Sequence, residues 1–295
     1  MTSHSLWNAA AVEQAVAQLA ALRPAYASIL GFYGPVFAAQ IHAAGKTFPE
    51  AIPIDQVLLE MKSNEGFPLI EPAAFTVDFP AAEKLLVQIC DIAMRSGEKL
   101  GAAGEALTRA LSGGFVMAGL FADVLGDKGR IADLARTMDV SPEMLSLLLY
   151  LAVKPSVEAG ARQLAVRLTG SPKNQGSCPV CGSAPLIGEL DAEGRQWIHC
   201  GVCWHRWAVT RMVCPFCSNR DSASLEYLFS DDEPEYRVNL CGECKRYLKV
   251  ADTRKMDRRF YPPLEQVASL HLDMLAAEKG YAPARGVTFP TADGR

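Results

Sequence analysis

Residues 178–203 read CPVCGSAPLIGELDAEGRQWIHCGVC, and residues 214–244 read CPFCSNRDSASLEYLFSDDEPEYRVNLCGEC. Eight of the chain's nine cysteines lie in these two stretches, as the pairs Cys178/Cys181, Cys200/Cys203, Cys214/Cys217 and Cys241/Cys244. Two thiolates separated by two residues can share one tight turn and point at one metal ion. Two such turns complete a tetrahedral four-sulfur set. The opening Met1–Trp7 has neither a basic n-region nor a long apolar run, and apolar runs such as Met144 to Val153 fall short of a membrane span. The expected compartment is therefore the reducing cytoplasm, with no membrane insertion, where paired thiols favour metal over cystine.

The two stretches are an internal repeat. The first unit runs knuckle (178–182), apolar run Ala184 to Leu190, turn Asp191 to Gly194, second run and knuckle (196–203), then Trp204 to Thr210. The second runs knuckle (214–217), Leu225 to Phe229, turn Ser230 to Glu235, run and knuckle (237–244), then Tyr247 to Val250. Knuckle, strand, turn, strand, knuckle, strand is the plan of a zinc ribbon or rubredoxin lobe. The repeat favours pairing within units, Cys178/181 with Cys200/203 and Cys214/217 with Cys241/244. A crossed arrangement, inner pairs together and outer pairs together, is the alternative and closes a longer loop. Gly182, Gly201 and Gly242 allow positive φ, which would let backbone N–H groups turn towards sulfur.

Outward from this module the sequence changes character. Residues 1–169 hold 13 Lys+Arg and 17 Asp+Glu, whereas residues 170–295 hold 16 of each. A cysteine-rich module without net positive charge is a poor general nucleic-acid binder, so no nucleic-acid partner is expected. Helical periodicity runs through Asn8–Leu22, on to about Ala44, then Ala81–Arg95, Glu98–Leu111, Phe115–Leu125, Ile131–Met138, Pro142–Val153 and Ser156–Leu168. Residues 63–80, rich in Pro and turn formers, read as a connector. Thr169 to Ser177 reads as a polar interdomain linker, with a possible hinge at Gly170–Gly176, and Tyr261 to Lys279 as one amphipathic helix ended by Gly280.

The expected class is α+β: an N-terminal all-α bundle, two tandem rubredoxin-like or zinc-ribbon lobes, and a C-terminal helix. The expected domains are 1–170, 177–212, 213–255 and 260–295.

Closed four-cysteine sites suit structure or outer-sphere electron transfer rather than Lewis-acid catalysis. Residue types alone leave iron and zinc open at both sites. His199 and His205 flank the second pair, but eight cysteines already make two full sets. Ile131 to Glu143 resembles the first helix and turn of a helix-turn-helix, but the helix after it is apolar all round, which fits a core. Cys90, on an apolar helix, reads as a core filler. Two charged features remain as partner contacts: the acidic turn Asp231, Asp232 and Glu233, and the basic run from Lys245 to Arg259, chiefly Lys245, Arg246 and Lys249. No Ser-His-Asp set, phosphate loop or nucleotide fingerprint is recognisable, so no enzyme activity is expected.

The order Cys-Pro-Val-Cys-Gly-Ser, Trp-Ile-His-Cys-Gly-Val-Cys, Ser-Asp-Asp-Glu, Cys-Gly-Glu-Cys-Lys-Arg-Tyr-Leu-Lys-Val resembles the formate dehydrogenase accessory protein FdhE family. So does the ending Leu272 to Tyr281 with Phe289-Pro290. The resemblance is specific over residues 178–290 and general in the helical half. It implies a cytoplasmic, non-catalytic assembly factor that binds the catalytic subunit of respiratory formate dehydrogenase. It also implies two mononuclear metal ions in four-cysteine sites, rubredoxin-type iron favoured and zinc the alternative. A rubredoxin-like electron carrier and a zinc-ribbon nucleic-acid module are the other function classes.

Overall fold

The computed structural model describes residues 8–127, 129–168 and 176–284. Most of the expected linker, residues 170–175 of the expected hinge, and Phe289-Pro290 lie outside them. The chain divides into two compact units. One holds residues 8–52 and 72–160, the other residues 53–71 and 161–284.

The first unit is all helix. Its elements are α1 (Ala9–Leu22), α2 (Ala27–Ala44), α4 (Phe79–Ala93), α5 (Glu98–Ser112), α6 (Ala118–Asp123), α7 (Gly129–Met138) and most of α8 (Pro142–Ala165); α3 (Gln56–Glu65) lies in the other unit. Helix starts are fixed by short acceptors that satisfy otherwise orphaned N–H groups. The side chain of Asn8 accepts from Ala11 N–H at 2.8 Å. That of Asp78 accepts from Ala81 N–H at 3.1 Å, with Pro80 in the first turn, where its missing N–H costs nothing. Cys90 is fully buried, and burial pushes its thiol up to about 11, as a core filler requires.

The expected break at Pro155 does not occur; α8 is one helix of 24 residues. Proline removes the N–H that would bond the carbonyl four residues back, here Leu151. The buried Gln40 donates its Nε2 to that carbonyl at 2.7 Å, so the helix continues without an orphaned acceptor. At this length α8 passes a length-and-hydropathy test for a membrane span, which the shorter run expected from sequence does not. Of its most apolar 18-residue window, 89% is buried inside the protein, as in a core helix. Met144, Leu145 and Leu148 are all buried, so the helix after the helix-turn-helix-like segment has no face for a DNA groove.

The second unit carries the metal module. Its strands are β1 (Pro185–Leu190), β2 (Gln196–Cys200), β3 (Arg206–Val209), β4 (Leu225–Phe229), β5 (Tyr236–Cys241), β6 (Arg246–Asp252) and the short β7 (Ala282–Pro283). Each repeat makes an antiparallel meander, β1-β2-β3 and β4-β5-β6. The meanders fuse into one sheet of order β3-β2-β1-β6-β5-β4, because β1 lies parallel to β6 with Gly188 opposite Val250. The two lobes thus follow one another by translation, the first strand of one beside the last strand of the other.

The expected single C-terminal helix is two, α9 (Pro262–Ala268) and α10 (Leu270–Glu278). The break at Ser269 exposes carbonyls at the end of α9. The buried Lys249 ammonium donates to Gln266 O at 3.2 Å and Ser269 O at 3.3 Å. Its charge is met by Asp273 at 2.7 Å. Leu272 and Ala276 of α10 pack on Tyr236, Val238, Leu240, Tyr247 and Ala251, covering one face of the β4-β5-β6 meander.

Candidate metal centre

The four knuckles share one backbone construction. In each, the residue four places after the first cysteine is left-handed: Gly182 (φ 73°), Trp204 (58°), Ser218 (61°) and Lys245 (55°). The turn needs this because that residue's N–H must reach back over the cysteine pair. Gly182, Ser218 and Lys245 donate to the carbonyls of Cys178, Cys214 and Cys241 at 2.8–2.9 Å. Only the first knuckle uses glycine there, which corrects the expectation for Gly201 and Gly242, neither of which has positive φ. These two serve close approach instead. Their N–H groups donate to Ala184 O at 2.9 Å and Ser224 O at 2.8 Å, and an added Cβ would sit 3.3 Å from the same oxygens.

Left-handed φ on a residue with a Cβ costs about 1–2 kcal/mol, partly offset by the extra unfolded-state entropy of glycine. Ser218→Gly, on the exposed second lobe, is therefore expected to raise stability by about 0.5–1 kcal/mol. Gly182→Ala is expected to lower it by about 1–2 kcal/mol, since its Cβ would also press on Pro68 at 3.1 Å. Thermal melts of the two variants check the pair; equal shifts of one sign would refute the argument.

The cysteines gather as two sets, Cys178, Cys181, Cys200, Cys203 and Cys214, Cys217, Cys241, Cys244, with all sulfurs of a set within 4.8 Å of one another. This is the sequential pairing. In the first set Cys178–Cys203 are 3.6 Å apart, and Cys181 lies 3.5 Å from both Cys200 and Cys203. In the second, Cys214–Cys244 are 3.7 Å and Cys217–Cys241 3.6 Å apart. Metal–sulfur bonds of about 2.3 Å require a tetrahedral edge of about 3.8 Å, so the spacing fits one ion per set. A disulfide needs about 2.05 Å.

Sulfur-directed donors complete the fit. The N–H groups of Val202 and Cys203 lie 3.3 and 3.4 Å from Cys200 Sγ, and Asn219 Nδ2 lies 3.8 Å from Cys241 Sγ. Without a cation the thiols of a set cannot ionise together: burial pushes Cys178 and Cys203 up, while hydrogen bonds from its sulfur neighbours hold Cys181 down. In the second set burial opposes the N–H donors of Cys244 and Glu243, which bring Cys241 down to about 7. Two four-cysteine clusters that can hold metal ions are therefore present. The first is wholly buried; in the second Cys217 is exposed and Cys244 half-buried.

The flanking histidines turn away from the sulfur sets. His199 Nε2 bonds the buried Glu189 at 3.0 Å, and Arg206 bonds the same carboxylate at 2.7 Å. Burial raises the Glu189 carboxyl, but the His199 hydrogen bond and the Arg206 guanidinium outweigh it and hold it below its ordinary value. His205 stacks on Trp207 with ring centroids 6.4 Å apart. This trio was not legible in sequence, because Glu189, His199 and Arg206 lie on three separate strands and meet only when β1, β2 and β3 pair.

The charged residues expected at a partner surface separate. Asp231, Asp232 and Lys245 are exposed, and Glu233 pairs with His271 at 2.7 Å. Arg246 lies over the Phe216 ring at 5.8 Å. Lys249 is 1% exposed, spent on Asp273 and the α9 carbonyls, and offers no surface to a partner. Arg254 and Arg258 of the same basic run are likewise engaged, with Asp252 and Glu265. A segment with no sequence signal for it also supports the first site. Leu69 and Ile70, after α3, donate their N–H groups to Pro179 O and Val180 O at 3.1 and 3.0 Å, bracing the first knuckle.

Residues 212–288 match the family model described as FdhE, C-terminal domain. The chain is 33% identical over 146 residues to an FdhE homologue of Aquifex aeolicus, covering 48% of this chain and 50% of that protein. It is 34% identical over 150 residues to an FdhE homologue of Haemophilus ducreyi, covering 50% and 48%. The chain thus spans about half the length of the curated relatives it matches. The crystal structure of the FdhE protein from Pseudomonas aeruginosa has the same fold, with TM-score 0.71, 23% identity, and 97% of this chain and 95% of that chain covered.

Proposed function

We propose that this chain is an FdhE protein, like the relatives it matches over half its length, and that it is a non-catalytic maturation factor for respiratory formate dehydrogenase, acting in the cytoplasm on the catalytic subunit. One observation carries the reading: both sulfur sets are complete with four cysteines each, and among the described residues no further His, Cys, Asp or Glu joins either set. Such a site holds shape and suits a binding protein better than a Lewis acid. Cys178, Cys181, Cys200 and Cys203 would hold one ion, and Cys214, Cys217, Cys241 and Cys244 the other, with iron favoured over zinc. When bound, each ion supplies folding free energy to its lobe and, if iron, a one-electron couple. The exposed Asp231, Asp232 and Lys245, with the half-buried Arg246, are the charges from which a client contact would be built.

A deletion strain is expected to make the formate dehydrogenase polypeptide but to oxidise formate poorly, while other respiratory metalloenzymes keep their activity. Normal formate oxidation in that strain would sink the proposal. The exposure of Cys217 favours one second reading, an electron carrier, because the second set lies close to solvent and to any docked redox partner. That reading requires purified protein to be reduced and reoxidised reversibly in the visible spectrum. A colourless zinc protein would remove it.

A further inference from the structure

Strand alternation gives the β4-β5-β6 meander two unlike faces. One is covered by α10. The other carries Leu225, Tyr227, Arg237, Asn239 and Leu248, in register through the pairs Tyr227–Asn239 and Asn239–Leu248. A cavity of about 360 Å³ opens on this second face, walled on one side by the segment from Arg211 to Phe216. Its walls are apolar and aromatic, and three arginines line it: Arg211, Arg237 and Arg246.

Among the described residues none of the three forms an ion pair with a carboxylate. Arg211 donates to Gly194 O at 3.1 Å, while Arg237 and Arg246 face the rings of Tyr227 and Phe216. The Nε of Arg237 is buried with no hydrogen-bond partner. Burial, and then the like charge of Arg211, hold Arg237 below the ordinary arginine value against the opposing pull of Asp252. The acid at the rim, Glu226, is exposed and pairs with none of them. A partly desolvated guanidinium facing a second cation, with the Asp252 carboxylate already bound through both oxygens by Arg254, costs free energy, which an incoming oxyanion would relieve. Beyond the cavity, Tyr227, Phe229 and Met212 are 60%, 63% and 69% exposed, and β4 has no strand on its outer edge among the described residues. Apolar surface continues out of an arginine pocket along an open strand edge. That suits an extended chain better than an isolated ion.

We propose that this pocket binds an acidic segment of a partner protein, seating a carboxylate among Arg211, Arg237 and Arg246 and its apolar neighbours against Tyr227 and Leu248. The site goes beyond the proposed function, because it stands whatever the client enzyme is. Fluorescence anisotropy on the full-length, metal-loaded protein tests it, with a labelled, end-capped octapeptide of alternating glutamate and leucine as the probe.

Arg237→Glu and Arg246→Glu are each expected to weaken binding at least tenfold, and Arg109→Glu on α5 to leave it unchanged. The glutamine–leucine octapeptide should bind at least tenfold more weakly. Circular dichroism and metal content show whether Arg237→Glu still folds, and Arg246→Glu, at the rim, supplies the answer if it does not. No binding by the wild type, or equal binding of the glutamine peptide, would overturn the proposal. So would displacement of the probe by millimolar inorganic phosphate, or tighter binding of a single-stranded oligonucleotide.

Discussion

Replacing Cys178 and Cys181 together by serine is expected to cut bound metal from two equivalents per chain to one. The first lobe should become protease-sensitive while the second stays folded. The four sulfurs of each lobe come only from that lobe, and the lobes share a ladder of just three residue pairs, between β1 and β6. Each lobe has three short strands and no helix between its strands, too little apolar area to fold alone. Metal in such modules supplies on the order of 10 kcal/mol at neutral pH, so losing it should unfold the first lobe outright. Elemental analysis with limited proteolysis reads both halves of the result. Loss of both ions from protein that remains soluble would mean that the two sites are coupled through the sheet.

The second large effect lies away from the sulfur. Arg258→Ala is expected to destabilise the protein by about 3–5 kcal/mol, the range for stripping one partner from a buried ion pair. Glu265 is fully buried on α9, and Arg258 holds both its oxygens, at 3.2 and 2.7 Å. Tyr236, on β5, donates its hydroxyl to the same carboxylate. Burial raises the Glu265 pKa and Arg258 opposes the rise, so removing the arginine pushes the carboxyl higher still.

A carboxyl whose folded pKa lies above its unfolded value of about 4.3 binds more protons folded than unfolded, so its contribution to stability falls as pH rises through that interval. The defect of Arg258→Ala should therefore be smallest in acid and grow towards neutrality. Thermal melts across that range check the sign; a defect that is independent of pH would mean that the carboxylate has found another partner. Glu265→Gln in the same background should recover part of the loss, because it removes the unpaired charge.

The lobes were legible in sequence because their determinants are local. Two cysteines two residues apart define a knuckle, and alternating apolar runs define each strand, so β1 to β6 fall within a few residues of their expected positions. The same locality set the helical half, where the 3.6-residue period marks α1, α2, α4 and α5. Local patterns failed where a distant side chain supplied what the local chain lacked. Pro155 reads as a stop, and only Gln40, more than a hundred residues earlier, lets α8 run through it. Tyr261 to Lys279 reads as continuous, and the buried ammonium of Lys249 makes the break at Ser269 tolerable. Lys249 itself reads as a surface charge, since a lysine on a strand carries no mark of the helix that covers it.

The partition follows from range. Which atoms form each sulfur set is written in the order of residues, because the ligands sit on turns whose geometry is fixed within five positions. Long-range packing is what sets β1 beside β6 and fuses two lobes into one sheet. It also brings Leu69 and Ile70 to brace the first knuckle and leaves Arg237 partly buried without a direct ion-pair partner among the described residues. Each of these depends on hydrogen bonds or burial between residues far apart in the chain, for which no local pattern exists.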